Sequence, residues 1–273
     1  MARQPRRVLA IVKVASRAAA GARRWLSLSH PGRVEVAAIA GVYVLYEASR
    51  AVVAGDREDA LRHAGDVASL ERSLHLFVER DVQHGAEHVA GLVGALGAAY
   101  LTLHLAATVA LLVWLHRRRP HVYPLVRTTL LFASAVALVG YLAFPTAPPR
   151  LSGLGILDTV SAHGVSLKKG LVSSLYNPYA AMPSMHAGYA AIVGATLVRE
   201  ARHAAVRAVG AAYPLFVVLV IVATGNHFLL DAAAGTAVAA AAAAAAFAVV
   251  RPAPARQRVA VRRAPVAAHG TLT

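Results

Sequence analysis

The chain has no cysteine among its 273 residues, and charged side chains make up only 15% of it. The absence of cysteine excludes disulfide bonds, thiolate metal sites and cysteine nucleophiles. The shortage of charge excludes an ordinary soluble domain, in which about 25% of residues are charged. Acidic residues are the scarcest charged type, with 13 Asp and Glu against 28 Lys and Arg.

Apolar residues take the place of the missing charge. They make up 58% of the chain, and the mean hydropathy is +0.54. Several apolar runs come close to the length of about 20 residues that a helix needs to cross a bilayer. The predicted fold class is therefore all-α, a polytopic membrane helical bundle with about six transmembrane helices. The spans are predicted at 34–53, 89–115, 125–144, 183–198, 206–224 and 228–250.

The regions outside the spans differ in charge. Residues 1–33 are basic and are predicted to be an N-terminal cytoplasmic segment, and 251–273 a disordered basic tail that follows the membrane domain of 34–250. Most of the acidic residues fall in 54–88, where Leu70 and Leu74 recur at helical spacing. That region predicts a short interfacial helix, with most of its charges on a solvated face.

The distribution of positive charge predicts the orientation in the membrane. Of the 28 Lys and Arg residues, 20 lie in the N-terminal segment, the tail and the loops at 116–127 and 199–207. Positive charge marks cytoplasmic loops, so both termini of this multi-pass cell-membrane protein are expected in the cytoplasm. Arg150, His186 and His227 then lie on the extracytoplasmic side. Because the positive charge has this role, no nucleic-acid partner is predicted.

Two polar stretches carry residues suited to catalysis. Ser184 and His186 stand at the start of the fourth predicted span, and His227 and Asp231 stand at the start of the sixth. Residues four apart share one face of a helix, so Asp231 can accept the N–H of one imidazole nitrogen of His227. The other nitrogen is then an unprotonated nucleophile, and His186 is the candidate acid and base.

Two further residues are candidates for binding a phosphate. Arg150 follows a proline-rich elbow at 145–149 and can hold phosphate oxygens in a bidentate manner. Ser184 lies at a helix N-terminus, where it suits either a bound phosphate or a plain N-cap. Together with His186, His227 and Asp231 these residues form a predicted phosphoryl-transfer site that needs no metal and no cofactor.

The motifs resemble those of a known family. Pro183-Ser184-Met185-His186 followed by His227-x-x-x-Asp231 is similar to the type 2 phosphatidic acid phosphatase superfamily. A longer match resembles its inositolphosphotransferase branch, which includes fungal inositol phosphorylceramide synthase. The segments of that match are 180–188, the Pro148-Pro149-Arg150 elbow and the upstream Ser69-Leu70-Glu71-Arg72.

The resemblance implies a mechanism. His227 would attack phosphorus and form a phosphohistidine, and Asp231 would hold it and balance its charge. His186 would protonate the leaving oxygen and then activate water or an acceptor alcohol. Two positions depart from the superfamily's pattern: its Lys-containing first motif is absent in the usual form, and Val220 and Ile221 replace the Ser-Arg before the nucleophile.

The predicted function is a lipid phosphatase or phosphotransferase that acts on a lipid-linked phosphate ester at the extracytoplasmic face. The substrate classes are phosphatidic acid, a polyprenyl phosphate or diphosphate, and a phosphoinositide, with an alcohol such as inositol as acceptor in a transfer. Two alternatives use the same polar residues: a metal-dependent hydrolase with a His-His-Asp site, and a small-solute transporter. His104, inside the second span, is interpreted as a packing residue.

Overall fold

The computed structural model describes residues 19–22, 25–26, 32–41, 57–159 and 178–250. Residues 32–41 are helical. From residue 57 onward, the helices are α1 (Arg57–Ser73), α2 (Glu79–Glu87), α3 (Leu92–Arg118), α4 (Tyr123–Ala143), α5 (Met185–Glu200), α6 (Ala204–Ala223) and α7 (Leu229–Val249), and a 3-10 turn lies at Pro149–Leu151. The described ranges contain no named strand, which confirms the predicted all-α class.

Among the described residues, four helices are long and apolar enough to cross a membrane: α3, α4, α6 and α7. They confirm four of the predicted spans to within a few residues. Helix α5 occupies the predicted fourth span but has 16 residues, or about 24 Å at 1.5 Å per residue, against a hydrocarbon core of about 30 Å. The predicted first span lies mostly outside the described residues, so the total of six remains a prediction.

Helix α5 lies at the centre of the described bundle. It packs most extensively against α6, and α7 packs against both α4 and α5. At the crossing of α5 and α7 a Cβ on Gly235 would collide with the carbonyl oxygen of Ser184, and one on Gly188 would lie 2.8 Å from the carbonyl oxygen of Gly235. Small residues at this crossing therefore let the two helices approach closely at the start of α5.

The region 54–88 differs from its prediction. It contains two helices, α1 and α2, separated by a break in which His75 has a φ of 58°. The expected exposure of the acidic residues is also reversed at two positions. Leu70 and Leu74 are each 51% exposed, whereas Glu71 and Glu79 are fully buried. The interpretation of a solvated face holds for exposed acids such as Glu58 and Asp66 but is wrong for Glu71 and Glu79, because both bond to the start of α7.

Arg127, which the charge count assigned to the 116–127 loop, lies within α4. Arg127 is in the second turn of α4, is 2% exposed and forms an ion pair with Glu35 at 2.5 Å. Its guanidinium also donates to the carbonyl oxygens of Trp25 and Leu26. Arg127 thus joins the N-terminal segment to α4 rather than facing solvent.

Candidate active site

Backbone hydrogen bonds gather the polar stretches at one end of the bundle. The amide of Thr146, just after α4, donates to the carbonyl oxygen of Tyr179, and the amide of Ala181 donates back to Thr146. The amide of Ser184 donates to the carbonyl oxygen of Asp231 at 2.9 Å. The proline-rich elbow and the starts of α5 and α7 are therefore held together, as the sequence motifs predicted.

His227 has a defined ring orientation. Its Nδ1 lies 2.9 Å from the carbonyl oxygen of Ala181. A carbonyl oxygen can only accept a hydrogen bond, so Nδ1 carries the hydrogen and Nε2 keeps its lone pair. The residue is 4% exposed. A buried imidazole with this tautomer has the form that a nitrogen nucleophile requires.

Asp231 is fully buried beside His227. One carboxylate oxygen, Oδ2, accepts the backbone N–H of Phe228 at 2.9 Å and so caps the first turn of α7. The same oxygen lies 3.4 Å from Nδ1 of His227. This separation is longer than an ordinary N–H···O bond, so Asp231 acts on the ring through its charge while Ala181 takes the hydrogen. Ala181 was not among the sequence candidates, because a carbonyl group leaves no residue-specific signal.

His186 lies beside His227, with 5.5 Å between the ring centroids. From α3, Tyr100 stacks against His186 at 4.4 Å and His104 lies 4.0 Å from it. The structure thus brings His186 and His227 together as predicted. It also adds His104, which the sequence interpretation had left as a packing residue.

Arg150 is buried, with 8% of its surface exposed. Its Nε donates to Oδ1 of Asn226 at 2.9 Å, and one terminal nitrogen forms an ion pair with Asp158 at 2.9 Å. Asn226 directly precedes His227, and the backbone amide of Arg150 donates to the carbonyl oxygen of Gly225. The guanidinium is therefore anchored to the segment that carries His227. The sequence analysis did not single out Asn226 or Asp158.

Gly225 makes the turn between α6 and His227. Its φ is 66°, a conformation that glycine adopts at little cost. A Cβ at this position would also lie 2.7 Å from a side-chain carbon of Ile156. The turn thus lets the loop after Arg150 pack directly against the residues that lead to His227.

Ser184 is fully buried at the N-terminus of α5. Its Oγ accepts the amide of Ala187 at 3.5 Å, so it is the N-cap of that helix. Of the two roles that its sequence position allowed, the structure displays the cap. Its contact with a phosphate stays a prediction.

A small apolar cleft reaches His186 from between α3 and α6. It is lined by Leu103, Val217 and Ile221 beside the histidine. Within the ranges 57–159 and 178–250, no group of three or more His, Asp or Glu side chains is arranged to hold a metal ion.

Comparison with known proteins gives the family. A family model described as the PAP2 superfamily matches residues 65–245, about two thirds of the chain. That range includes Arg150, His186, His227 and Asp231. No curated protein and no solved structure gave a significant match, and the inositolphosphotransferase branch stays a prediction. Members of this superfamily are phosphatases and phosphoesterases. The chain is thus a helical membrane protein that belongs to the PAP2 superfamily.

Proposed function

We propose that this protein is an integral membrane lipid phosphatase or phosphotransferase that works through a phosphohistidine on His227. One observation carries the proposal: Nδ1 of His227 is bonded to the carbonyl of Ala181, which leaves Nε2 as a nucleophile with the His186 ring 5.5 Å away. A nucleophile with an adjacent acid and base is the arrangement that covalent phosphoryl transfer requires.

In the first half of the reaction, Nε2 of His227 attacks phosphorus. A P–N bond forms, the P–O bond to the lipid breaks, and protonated His186 gives its proton to the leaving oxygen. His227 keeps its Nδ1 hydrogen throughout. The ring therefore gains positive charge as it is phosphorylated, and the Asp231 carboxylate at 3.4 Å offsets that charge.

In the second half, neutral His186 removes a proton from water or from an alcohol. The oxygen attacks phosphorus, a P–O bond forms and the P–N bond to His227 breaks. When the substrate is a lipid phosphomonoester, water gives inorganic phosphate and an alcohol such as inositol gives a new phosphomonoester. Hydrolysis and transfer therefore share the same residues and differ only in which acceptor reaches His186.

Arg150 is the proposed phosphate-binding residue. Its anchorage on Asn226 places the guanidinium beside the nucleophilic segment, where it can stabilise charge on the equatorial oxygens. Ser184 and the amides at the start of α5 add a second proposed contact. Val220 is 2% exposed and Ile221 is fully buried, both within α6. Arg150 is proposed to take the phosphate-binding role of the superfamily's Lys-containing first motif, which is absent here in its usual form.

The proposed substrate is a lipid phosphate that approaches from the extracytoplasmic face. A lipid is proposed because His186 lies against apolar side chains of helices long enough to cross a membrane. The bias of Lys and Arg toward the other side supports this placement of the site. Phosphatidic acid, polyprenyl phosphates and phosphoinositides combine an acyl or prenyl chain with a phosphate ester.

The test is phosphate release by purified protein in detergent with EDTA, across a panel of these lipids. We expect turnover by the wild type and a loss on the order of 10³-fold or more in His227→Ala, because no other group replaces the nucleophile. His121→Ala is the matched control, because His121 is exposed. After brief exposure to labelled substrate, the wild type should hold label that resists alkali and is lost in acid, as a phosphoramidate does.

Other outcomes would separate the alternatives. If hydrolysis is absent, the panel is repeated with inositol, and product formation there would identify a transferase. Activity that needs added zinc would favour the metal-dependent hydrolase. Solute flux in liposomes without any phosphate chemistry would favour the transporter. Full activity in His227→Ala would rule out the phosphohistidine.

A further inference from the structure

Three consecutive amides at the start of α7 each bond to a different carboxylate. The amide of Phe228 donates to Asp231 at 2.9 Å, that of Leu229 to Oε1 of Glu79 at 2.9 Å, and that of Leu230 to Oε1 of Glu71 at 2.7 Å. Glu71 comes from α1 and Glu79 from α2. The residue directly before this series is His227, so the backbone that follows the proposed nucleophile is held by contacts with three helices.

The second oxygens of the two glutamates present an electrostatic problem. Both side chains are fully buried, and among the described residues neither Oε2 has a hydrogen-bond donor. The two carboxyl groups are neighbours, because they accept hydrogen bonds from the consecutive amides of Leu229 and Leu230. Two ionised carboxylates cannot bond to each other, whereas a proton on one of them supplies the missing donor.

The charges around Glu71 favour the protonated form. Burial raises the pKa of Glu71 to about 8. The negative charges of Glu79 and Asp231 also raise this pKa, whereas the hydrogen bond from the amide of Leu230 lowers it. Arg72, the adjacent cation, lies over the ring of Phe77, 4.5 Å from its centroid. The groups that face Glu71 from α2 and α7 are thus both acidic.

We propose that Glu71 and Glu79 are positioning residues that share one proton and lock the first turn of α7, which keeps Nε2 of His227 aligned for attack. The shared proton lets both carboxyl groups approach the helix start without full mutual repulsion. Each keeps one oxygen for an amide of α7, and the remaining two oxygens bond through the proton. The catalytic consequence rests on the proposed phosphohistidine function, but the shared proton does not.

The proposal predicts a definite dependence of stability on pH. The pKa of Glu71 is about 8 in the folded protein, above the ordinary value of 4.5 that applies when the chain is unfolded. Between these values the folded state binds more protons than the unfolded state, so its stability falls as the pH rises from about 4.5 to 8. A neutral side chain at position 71 would remove this dependence.

Two substitutions at this position separate the shared proton from simple packing. In Glu71→Gln, the amide oxygen can still accept from Leu230 and the amide nitrogen can donate to Glu79 in place of the shared proton. Glu71→Ala removes both bonds. Glu58→Gln is the matched control on the same helix, because Glu58 is exposed.

The experiment combines infrared spectroscopy and thermal unfolding in detergent with lipid-phosphate kinetics. We expect the wild type and Glu58→Gln to show the C=O band of a buried protonated carboxyl near neutrality, lost as the pH rises through about 8. Glu71→Gln should lack that band. Its unfolding midpoint should also decline less than that of the wild type across the same pH range.

In the kinetics, Glu71→Gln should keep kcat near the wild-type value. Glu71→Ala should lower kcat by about 10- to 100-fold with little change in KM, because misalignment of a nucleophile costs rate rather than binding. A kcat per folded molecule that is unchanged in Glu71→Ala would overturn the positioning role.

Different results would overturn the shared proton and the proposed function. A spectrum without a titrating carboxyl, or parallel pH curves for the wild type and Glu71→Gln, would overturn the shared proton whatever the activity. A titrating band in a wild type that turns over no lipid phosphate, with or without inositol, would support the shared proton and overturn the proposed function.

Discussion

His227 donates its Nδ1 hydrogen to the carbonyl oxygen of Ala181, at a distance of 2.9 Å. This bond joins the segment before α7 to the stretch before α5, so the same contact that selects the tautomer also fixes the two motifs relative to each other. Asp231 lies 3.4 Å from the same nitrogen and shares its oxygen with an amide of α7. The orienting role expected of a carboxylate is thus divided between a backbone carbonyl and a side chain.

This division predicts the effect of Asp231→Asn. The tautomer of His227 should survive, because the Ala181 carbonyl still accepts the hydrogen, whereas the charge that offsets the phosphohistidine is lost. We expect kcat to fall by about 10- to 100-fold, which is less than the loss in His227→Ala. Steady-state rates for both variants test this, and an equal loss in the two would show that Ala181 alone does not hold the ring.

The ion pair between Arg150 and Asp158 predicts two opposite effects on KM. A substrate phosphate must compete with the Asp158 carboxylate for the guanidinium, so Asp158→Asn should lower KM several-fold. Arg150→Lys should raise KM by about 10-fold or more, because an ammonium cannot hold both Asn226 and a phosphate in a forked geometry. KM measured over the same lipid panel tests both effects. A rise in KM for Asp158→Asn would mean that Asp158 positions Arg150 instead of competing for it.

The close approach at Gly235 predicts that Gly235→Ala disturbs the site from a distance. The added methyl group would collide with the backbone of Ser184 and push the start of α5, and with it His186, away from α7. We expect the free energy of unfolding to fall by about 1–3 kcal/mol, together with a loss of activity. Gly97→Ala is the control, because a Cβ there meets no atom within 4 Å. Unfolding midpoints in detergent compare the two, and equal effects would contradict the argument.

The position of His104 predicts that its ring, rather than its nitrogen atoms, is the feature that His186 requires. Its Nδ1 is buried and has no hydrogen-bond partner among the described residues. His104→Phe should therefore keep the ring contact and leave stability unchanged or raise it by about 1 kcal/mol, since an unsatisfied buried group is removed. His104→Ala should lower both stability and turnover. A strong loss of kcat in His104→Phe at unchanged stability would instead give the imidazole a role in proton transfer.

The local parts of the molecule could be predicted from the sequence. Hydropathy located α3, α4, α6 and α7 to within a few residues, because a span needs a long apolar run wherever it packs. The spacing of His227 and Asp231 predicted that they share one face of a helix. Asp231 lies in the first turn of α7, whereas His227 precedes the helix but still lies 3.4 Å from Asp231. The pairing of these residues with His186 followed from the motifs taken together, and the structure places the rings in proximity.

The sequence by itself determined where the four long apolar helices lie, which residues are the candidates for chemistry and which side chains are near one another along the chain. Only the tertiary structure decided the contacts across long separations: Ala181 on His227, Asn226 and Asp158 on Arg150, and Glu71 and Glu79 on α7. Local patterns assign a leucine to the interior and a glutamate to solvent, because the charge of the glutamate is costly to bury. Glu71 and Glu79 reverse that assignment because the amides that stabilise them lie about 150 residues further along the chain.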